Sequence, residues 1–540
     1  MAESEIESSG ETGGARNGAS GLAADATTNV VKGTAASATP APVSPVASAT
    51  PPRAPWYAFA TPALGKLVRV AARLTRHGGS ALPGRVIERL DPGFLARMLD
   101  RLPYGVVLVS GTNGKTTTTR MVASMLSDLG LKVFTNPTGS NFVRGVVSAL
   151  LNRVTLGGRL DADVAVLELD EAYAVHFVRQ VKPRYALLLN VMRDQLDRFG
   201  EIDNTARLLG HVAAATTGTV VLNREDPRIA RLAGLAPVST TVKYFGLSDD
   251  LKRFFPSDDD MATTVSVEGE DGAGAEDGAG SATEPGATAD LSDTLTLPPV
   301  NPEALAIATL PADVTLTEVG DHAATFRFAG KPGKPGNPGK PGASGDAAIE
   351  RHTKVKLEGV YNLYNAAAAL AVVRAVRPDA KIDDLIAAVS RVTPAFGRGE
   401  VIDVNGSPTE LLLVKNPMGF RLSLASFPPE GADTMIVIND EYADGRDMSW
   451  LWDVDFTSLK ATGVAQVSGV RAWDMALRLG YDQVTVDAVD TDIDAALAAF
   501  VRRDPGKPKH IYCTYTAMLK VRAALGRIAK VADAGVGSGK

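Results

Sequence analysis

Residues 106–119 constrain the fold of this chain more than any other stretch, because an apolar run leads directly into the motif Gly-x-x-Gly-Lys-Thr. Glycines at positions 111 and 114 let backbone N–H groups converge on a polyphosphate. Lys115 can reach its outer oxygens, and the Thr116 hydroxyl can bind Mg²⁺. The segment therefore predicts a strand, a phosphate-binding loop and a helix start, in a protein that uses a nucleoside triphosphate. An ordinary strand-turn-helix corner is the structural alternative.

Length and composition limit the class of protein. A chain of 540 residues exceeds what one hydrophobic core usually organises, so two or more domains are expected. A net charge of −6 argues against a nucleic-acid partner bound by bulk electrostatics. Cys513 is the only cysteine, which excludes an intrachain disulfide and a Cys-x-x-Cys metal site. Since no membrane-spanning run or signal-peptide core is visible, a cytoplasmic location is expected.

The composition changes along the chain divide it into regions. Residues 1–55 are rich in Ala, Ser, Gly, Thr and Pro and predict a disordered tail. We predict a central nucleotide-binding domain over 56–392 and a C-terminal domain over 393–540. A mobile insertion is expected at about 250–350, because residues 256–293 hold eleven Asp and Glu and no Lys or Arg.

Apolar runs alternate with helical patterns on both sides of this insertion. Such alternation predicts α/β domains, here a phosphate-loop domain with a mostly parallel sheet and a Rossmann-like C-terminal domain. Glu168 falls at the carboxyl end of a predicted strand, where open α/β sheets bind ligands, so we expect it to meet the metal. The predicted strands lie at 106–110, 132–136, 164–170, 185–191, 219–223, 410–414, 434–439, 463–467, 483–487 and 510–514.

Residues 56–77 have an amphipathic pattern that allows two interpretations. One is a helix lying on an anionic membrane surface. The other, which we favour from the sequence, is a packing helix with a solvated basic face. The residues that define the pattern are the basic Lys66, Arg69, Arg73 and Arg76 and the apolar Leu64, Leu67, Val70 and Leu74.

Four stretches together resemble the Mur ligase superfamily and, within it, the MurT family. They are Ser-Gly-Thr-Asn-Gly-Lys-Thr-Thr-Thr at 110–118, Arg-Asp-Gln-Leu-Asp-Arg-Phe-Gly-Glu at 193–201, Leu-Asn-Arg-Glu-Asp-Pro at 222–227 and Asn-Asp-Glu-Tyr-Ala-Asp-Gly-Arg-Asp-Met-Ser-Trp-Leu-Trp-Asp at 439–453. The resemblance implies an ATP-dependent reaction. The α-carboxylate of D-glutamate in the lipid II stem peptide would become an acyl phosphate, and ammonia would displace phosphate to give D-isoglutamine.

The same resemblance implies a nucleotide site. Lys115 would act on the phosphates, and Thr116 and Glu168 would bind Mg²⁺. Without nucleotide, we expect Lys115 to face solvent. A turn or cap role is the alternative for each asparagine. The other residues implied to bind the nucleotide are Gly111, Thr112, Asn113, Gly114, Thr117, Asn136, Asn141, Asn223, Asp226, Asn362, Asn365 and, from the C-terminal domain, Arg398.

The chain departs from the wider superfamily in ways that favour ammonia over an incoming amino acid. Gln195 replaces the metal-site histidine, and no lysine lies between Lys182 and Lys243 to serve as the carbamoylated lysine. The stretch 415–419, Lys-Asn-Pro-Met-Gly, replaces an acidic motif. Many MurT proteins carry a four-cysteine zinc ribbon, which one cysteine cannot build, so zinc is not expected.

The resemblance also implies a separate source of ammonia. Cys513 lies in an apolar strand without flanking glycines and is predicted to be a buried structural thiol. A class I glutaminase subunit, GatD, would form a heterodimer with the chain, and Asp447 would orient the histidine of that partner. Asp444 and Asp453 are alternatives, and so is a helix-cap role for Asp447. Lipid II would bring the complex to the inner face of the membrane.

Two other functions remain open from the sequence. One is an amino-acid-adding Mur ligase, or a folylpolyglutamate synthetase-like enzyme, that acts without a partner. The other is a nucleotide-binding scaffold that has lost catalysis and only docks a glutaminase.

Overall fold

The computed structural model describes residues 56–74, 82–136, 141–192, 202–252, 295, 297, 310–320, 322–330, 346–356, 360–393, 398–441 and 443–531. The predicted tail at 1–55, the motif at 193–201 and the acidic segment 256–293 lie outside the described residues.

The central part of the chain forms a nine-stranded sheet in the order β2-β3-β1-β4-β5-β6-β7-β8-β9. The first seven strands of this order pair in parallel, and the last two pair antiparallel. The predicted parallel sheet is confirmed. Its strands are β1 (Val106–Ser110), β2 (Val133–Thr135), β3 (Val164–Glu168), β4 (Tyr185–Leu188), β5 (Thr219–Asn223), β6 (Thr241–Leu247), β7 (Val314–Gly320), β8 (Ala323–Phe328) and β9 (Ile349–Lys354).

Helices cover both faces of this sheet. The apolar side chains of α4, α10 and α11 form the core on one face, and those of α2, α3, α5, α6 and α7 form the core on the other. This explains why β1 and β3, which are buried on both faces, are continuous apolar runs. The helices are α1 (Thr61–Leu74), α2 (Leu82–Leu90), α3 (Phe94–Leu99), α4 (Lys115–Asp128), α5 (Val143–Arg153), α6 (Glu171–Gln180), α7 (Ile202–Ala215), α8 (Pro227–Ala230), α9 (Asp249–Lys252), α10 (Val360–Val376) and α11 (Ile382–Arg391).

The expected insertion at 250–350 contains two strands of the central sheet. β7 and β8 form an antiparallel hairpin, and Val314, Leu316, Phe326 and Phe328 are fully buried. The prediction of a solvated insertion is therefore wrong for these residues. Each strand carries period-two apolar alternation, which the Gly-, Pro- and acid-rich flanks concealed. Two further insertion residues, Leu295 and Leu297, pack against the core beside α7.

The C-terminal part forms a second, six-stranded sheet in the order β10-β11-β15-β12-β13-β14. Only β10 and β11 pair antiparallel, and helices cover both faces, as the α/β prediction requires. The predicted strand at 483–487 is reduced to a bridge between Val464 and Val486. The elements are β10 (Arg398–Val404), β11 (Ser407–Leu413), α12 (Pro417–Ser426), β12 (Asp433–Val437), β13 (Gln466–Ser468), α13 (Ala472–Tyr481), β14 (Val489–Asp490), α14 (Ile493–Arg502), β15 (Lys509–Cys513) and α15 (Tyr515–Leu525).

The N-terminal helix α1 packs through its small residues. Gly65 contacts Leu151 of α5 so closely that a Cβ atom would overlap the leucine side chain. The prediction of a packing helix is confirmed, but the face turned to solvent is apolar, whereas a basic face was expected. Among the described helices, none is both long and apolar enough to cross a bilayer.

Candidate active site

The phosphate loop joins β1 to α4 and requires glycine at two positions. Gly111 has φ 133° and Gly114 has φ 85°, both in the region that disfavours side chains. A Cβ atom at Gly111 would lie 3.0 Å from the backbone N and O of Asn190, and one at Gly114 would lie 2.6 Å from Oδ1 of Asn365. Larger residues would therefore displace the loop from its supports.

Asn190, which follows β4, holds the loop in place. The Asn113 N–H donates to Asn190 Oδ1 at 2.8 Å, and Asn190 Nδ2 donates back to the Asn113 carbonyl at 3.0 Å. The Thr112 N–H donates to the Asn190 carbonyl at 2.9 Å. Asn190 is not among the site residues predicted from the sequence, although β4 directly adjoins β1 in the sheet. Its signal is a polar residue at the end of an apolar strand, the same signal that identified Glu168.

Lys115 is buried, not facing solvent as we expected. Its Nζ donates to the Gly111 carbonyl at 2.6 Å and pairs with Asp170 at 3.2 Å and Glu171 at 3.3 Å. The two acids stand at the start of α6, which follows β3, the strand next to β1. Because a buried ammonium needs compensating charge, these carboxylates allow the lysine to fold back against the loop.

Thr116 and Glu168 meet beside the loop, as predicted. The Thr116 hydroxyl donates to Glu168 Oε1 at 2.8 Å. Asn136 fixes the backbone of Glu168, because its Oδ1 accepts from the Glu168 N–H at 3.0 Å and its Nδ2 donates to the Glu168 carbonyl at 2.9 Å. A hydroxyl and a single carboxylate suit Mg²⁺, which commonly takes its other ligands from water and phosphate oxygens. Within the described residues, no cluster of three or more His, Cys, Asp or Glu gathers as a metal site.

Two other predicted residues, Asn141 and Asn223, form hydrogen bonds near the loop. Asn141 Nδ2 donates to Asp170 Oδ2 at 2.6 Å and so orients a partner of Lys115. Asn223, at the end of β5, donates to the Leu189 carbonyl at 2.8 Å and accepts from the Tyr364 hydroxyl. These contacts give Asn223 a turn-bracing role, and its contact with a nucleotide stays a prediction.

Asp226 caps the short helix α8. Its Oδ1 accepts from the Arg228 N–H at 2.9 Å, and its Oδ2 accepts from the Val191 N–H at 2.7 Å. Burial raises the pKa of Asp226 to about 6, although these backbone donors oppose that shift. Asp226 thus acts as a helix cap in the structure, and its contact with a nucleotide stays a prediction.

A cleft lies between the phosphate loop and the C-terminal domain. Asn362 lines it, whereas Asn365 is buried at 3% exposure beside Gly114. Among the described residues, Asn365 Nδ2 finds no hydrogen-bond partner, and such a buried amide facing a phosphate loop fits a bound polar ligand. The residues that line the cleft are Asn113, Gly114, Thr117, Tyr361, Asn362, Leu412, Leu413, Lys415, Gly419, Leu422, Ser423, Ser426 and Phe427.

An amide pair joins the loop to the C-terminal domain. Asn416 Nδ2 donates to Asn113 Oδ1 at 3.0 Å, and Asn113 Nδ2 donates to Asn416 Oδ1 at 3.3 Å. Asn416 also caps α12 by accepting from the Gly419 N–H at 2.8 Å. The sequence identifies the 415–419 stretch as a departure from the superfamily, but it does not predict this contact. Arg398, the predicted contribution from this domain, is the first residue of β10, and its side chain lies outside the described residues.

The three candidate aspartates of the C-terminal motif differ in exposure. Asp444 is 1% exposed and accepts from the Thr516 N–H at 2.7 Å and the Glu441 N–H at 3.2 Å, and burial raises its pKa. Asp447 and Asp453 are exposed. Asp447 Oδ1 accepts from the Ser449 N–H at 2.9 Å, a contact within the turn before the 3-10 helix 449–453, whose N-cap is Met448, and the carboxylate still reaches the surface.

An apolar patch lies on the same motif and the adjacent helix. Trp452 contacts Tyr481 with ring centroids 5.0 Å apart. Positions 473, 477 and 481 of α13 recur every four residues and so share one helix face. A contiguous exposed apolar surface of this kind marks an interaction site. Its exposed residues are Trp452 (50%), Val470 (58%), Trp473 (67%), Leu477 (58%) and Tyr481 (69%).

Cys513 is fully buried at the end of β15, and burial raises the pKa of its thiol. The prediction of a structural thiol is confirmed, because a buried protonated thiol is a poor nucleophile.

The two domains match known families, and the whole chain has named relatives. Residues 109–271 match the Mur ligase middle domain, and residues 413–518 match the MurT ligase C-terminal domain. The chain is 28% identical to the MurT subunit of the glutamine-hydrolysing lipid II isoglutaminyl synthase of Streptococcus pneumoniae, over 84% of this chain and 94% of that protein. It is 26% identical to the Staphylococcus aureus subunit of the same name, over 81% and 90%.

Solved structures share the fold. MurF from Acinetobacter baumannii superposes with a TM-score of 0.55 at 16% identity, covering 83% of this chain and 79% of that one. MurF ligase from Thermotoga maritima, in complex with ADP, gives a TM-score of 0.53 at 16% identity, with 83% of each chain covered. At this identity the likeness concerns the fold alone. The chain thus carries a Mur ligase middle domain and a MurT ligase C-terminal domain, and over most of its length it is similar to the MurT subunits.

Proposed function

We propose that this chain is the ATP-dependent, amide-forming subunit of a lipid II isoglutaminyl synthase. One observation carries the proposal: the phosphate loop and the 415–419 stretch meet in a single cleft through Asn113 and Asn416. The chain in which they meet is similar to MurT subunits over most of its length. The substrate is the α-carboxylate of D-glutamate in the stem peptide, and the product is D-isoglutamine.

The proposed reaction has two steps. A carboxylate oxygen of the substrate attacks the γ-phosphorus of ATP, and ADP leaves. The nitrogen of ammonia then attacks the carbon of the resulting acyl phosphate, and inorganic phosphate departs with the former carboxylate oxygen. Activation is needed because a carboxylate is a poor acyl donor until one of its oxygens becomes a leaving group.

The residues of the loop have defined tasks in this scheme. The backbone N–H groups at the start of α4 bind polyphosphate oxygens, and Lys115 offsets the charge that gathers as carboxylate and phosphate approach. To do so, the Lys115 ammonium leaves its ion pairs with Asp170 and Glu171 and contacts the phosphate oxygens instead. Thr116 and Glu168 would hold Mg²⁺, which neutralises phosphate charge when bound.

A partner subunit supplies ammonia in this proposal. Cys513 is buried and cannot act as a glutaminase nucleophile. We assign that role to a GatD-like class I glutaminase in a heterodimer, with Asp447 orienting the histidine of the partner. The exposed apolar patch, which includes Trp452 of the same motif, supports a protein contact in this part of the domain. Because lipid II is anchored in the membrane, the complex would work at the inner membrane face.

An isotope experiment tests the proposed chemistry. Stem peptide labelled with oxygen-18 in the α-carboxylate of D-glutamate is incubated with the chain, MgATP and ammonium. The proposal predicts one labelled oxygen in inorganic phosphate for each amide formed. Amide without label in phosphate would exclude the acyl phosphate. A requirement for an amino acid in place of ammonium would favour an amino-acid-adding ligase.

A further inference from the structure

The N-terminal helix α1 exposes a continuous apolar stripe away from the body of the protein. Within the helix the stripe follows positions 64, 67 and 70, which are three residues apart and so share one face, and two exposed aromatic residues precede it in the turn before the helix. Single exposed apolar residues are common, but a contiguous set on one helix face is not. Its members are Trp56 (86%), Phe59 (76%), Leu64 (38%), Leu67 (65%) and Val70 (50%).

The packing contacts described for α1 lie on its opposite face. Thr61 donates from its hydroxyl to Asp91 at 2.7 Å, Gly65 contacts Leu151, and Arg69 donates to Asn152. The small residues bury against α5, whereas the large apolar residues face solvent. A helix stabilised only by the core of the protein would show the reverse distribution.

The charges around the stripe have one sign. Residues 56–74 contain no Asp or Glu but include Lys66, Arg69 and Arg73. Lys66 lies one helix turn from Val70 and so borders the stripe, whereas Arg69 lies on the side that meets α5. The whole chain carries a net charge of −6 and would by itself be repelled from an anionic surface. A cationic flank beside an apolar stripe is the pattern of helices that lie in an anionic lipid interface.

The position of α1 relative to the candidate site also supports an anionic lipid surface as the partner of the stripe. α5 contacts α1 near its C-terminal end, through Leu151 and Asn152, and begins at Val143, close to Asn141 beside the Lys115 cluster. An 11-residue helix is about 16 Å long, so the contact between α1 and α5 lies about one helix length from the end of α5 that is near Asn141. A single helix therefore connects α1 to the candidate site.

We infer that α1 and the turn before it dock the protein on an anionic phospholipid surface, with the apolar stripe entering the headgroup boundary and the basic flank contacting phosphates. The link to a lipid-anchored substrate rests on the proposed function, but binding to the lipid surface does not. The helix packs on the protein as the sequence pattern predicts, but the face it turns outward is apolar, which the sequence interpretation did not expect.

Vesicle co-sedimentation with the full chain tests the inference. The probes are vesicles of phosphatidylcholine alone and vesicles that also contain phosphatidylglycerol. We expect binding to the anionic vesicles only, weakened by salt, and weakened about tenfold or more by L67E combined with V70E. The matched control is L156E combined with V238E, which changes two exposed apolar residues outside the stripe and should bind like the unsubstituted chain.

If the N-terminal tail or a second copy of the chain covers the stripe instead of lipid, the binding experiments give different results. Vesicle binding that begins only when residues 1–55 are removed would assign the stripe to the tail and overturn the inference. A shift from dimer to monomer in L67E/V70E, without vesicle binding by the unsubstituted chain, would assign it to a second copy. Amidation of a water-soluble stem peptide should be unchanged in L67E/V70E. Loss of that activity would point to a folding defect, whereas failure of amidation in all forms of the chain would refute only the proposed function.

Discussion

The chain carries carboxylates at two candidate sites whose environments are opposite. At the phosphate loop, Glu168, Asp170 and Glu171 are enclosed and contact Thr116 or Lys115. In the 439–453 motif, Asp447 reaches the surface, and the same motif carries the exposed Trp452. The first arrangement is complete within the chain, since each acid has its partner in place. The second offers a carboxylate and an apolar surface without a base or nucleophile among the neighbours described above.

This difference indicates how the two halves of the proposed reaction are divided. Amide formation needs groups that this chain arranges by itself, whereas ammonia release needs a surface to which another protein brings cysteine and histidine. Substitutions at the loop should then affect both nitrogen donors, and substitutions at the motif should affect glutamine alone.

The largest effect is expected for Lys115→Met. Loss of the ammonium should lower amidation by about 10²- to 10³-fold with either ammonium or glutamine, because charge on the transferring phosphoryl group is left uncompensated. Lys132→Met, which removes an exposed lysine paired with Asp161, is the matched control and should keep full activity.

Lys115→Met also leaves Asp170 and Glu171 without their cation, so its thermal unfolding must be compared with that of the unsubstituted chain. Thr116→Val keeps Lys115 and removes only the hydroxyl, and it should lower both activities as well. Normal turnover in folded Thr116→Val and Lys115→Met proteins would refute the nucleotide mechanism.

Asp447→Asn should separate glutamine-dependent amidation from ammonium-dependent amidation. Glutamine-dependent amidation should fall by about 10²-fold, because a neutral amide cannot stabilise an imidazolium on the partner, while ammonium-dependent amidation should persist. Asp453→Asn changes a nearby exposed aspartate and is the control. Equal loss with both donors would place Asp447 in the ligase half, and loss only in Asp453→Asn would transfer the role to Asp453.

Trp473→Glu should weaken binding of the glutaminase subunit by about 30-fold, since an exposed tryptophan at the centre of an apolar interface typically contributes about 2 kcal/mol. The dissociation constant can be measured by surface plasmon resonance or calorimetry. Leu156→Glu, at a similarly exposed site elsewhere, should bind normally. Unchanged affinity in Trp473→Glu would place the partner on another surface.

The smallest effect is expected at the domain junction. Asn416→Ala removes both the cap of α12 and the pair with Asn113, so it should cost about 1 kcal/mol of stability and roughly tenfold in ammonium-dependent rate. Asn416→Asp keeps the acceptor for the Gly419 N–H but cannot donate to Asn113. It should therefore lose rate while keeping stability. Full activity in Asn416→Asp would show that the amide pair does not position the loop.

The sequence predicts the residues whose roles depend on local backbone geometry. Gly111, Gly114, Thr116 and Glu168 follow from a strand-loop-helix motif and a strand end, and the structure places them together. Asn190 and Asn416 could not be assigned in this way. Their contacts depend on β4 lying beside β1 and on how the second domain packs, which no local pattern specifies.

Two errors have the same origin in tertiary structure. The hairpin β7–β8 was missed because a strand that completes an existing sheet needs only a short alternating pattern, here placed between Gly- and Pro-rich segments. Lys115 was expected in solvent because the positions of Asp170 and Glu171 next to the loop follow from the pairing of β3 with β1.

The most direct test of the account uses the purified chain without a partner. It is supplied with lipid II and MgATP, and with either ammonium or glutamine, and isoglutamine and ADP are quantified. The account predicts one ADP per isoglutamine with ammonium and no product with glutamine until the glutaminase subunit is added. Product from glutamine with the chain alone, or no product from ammonium under any condition, would contradict it.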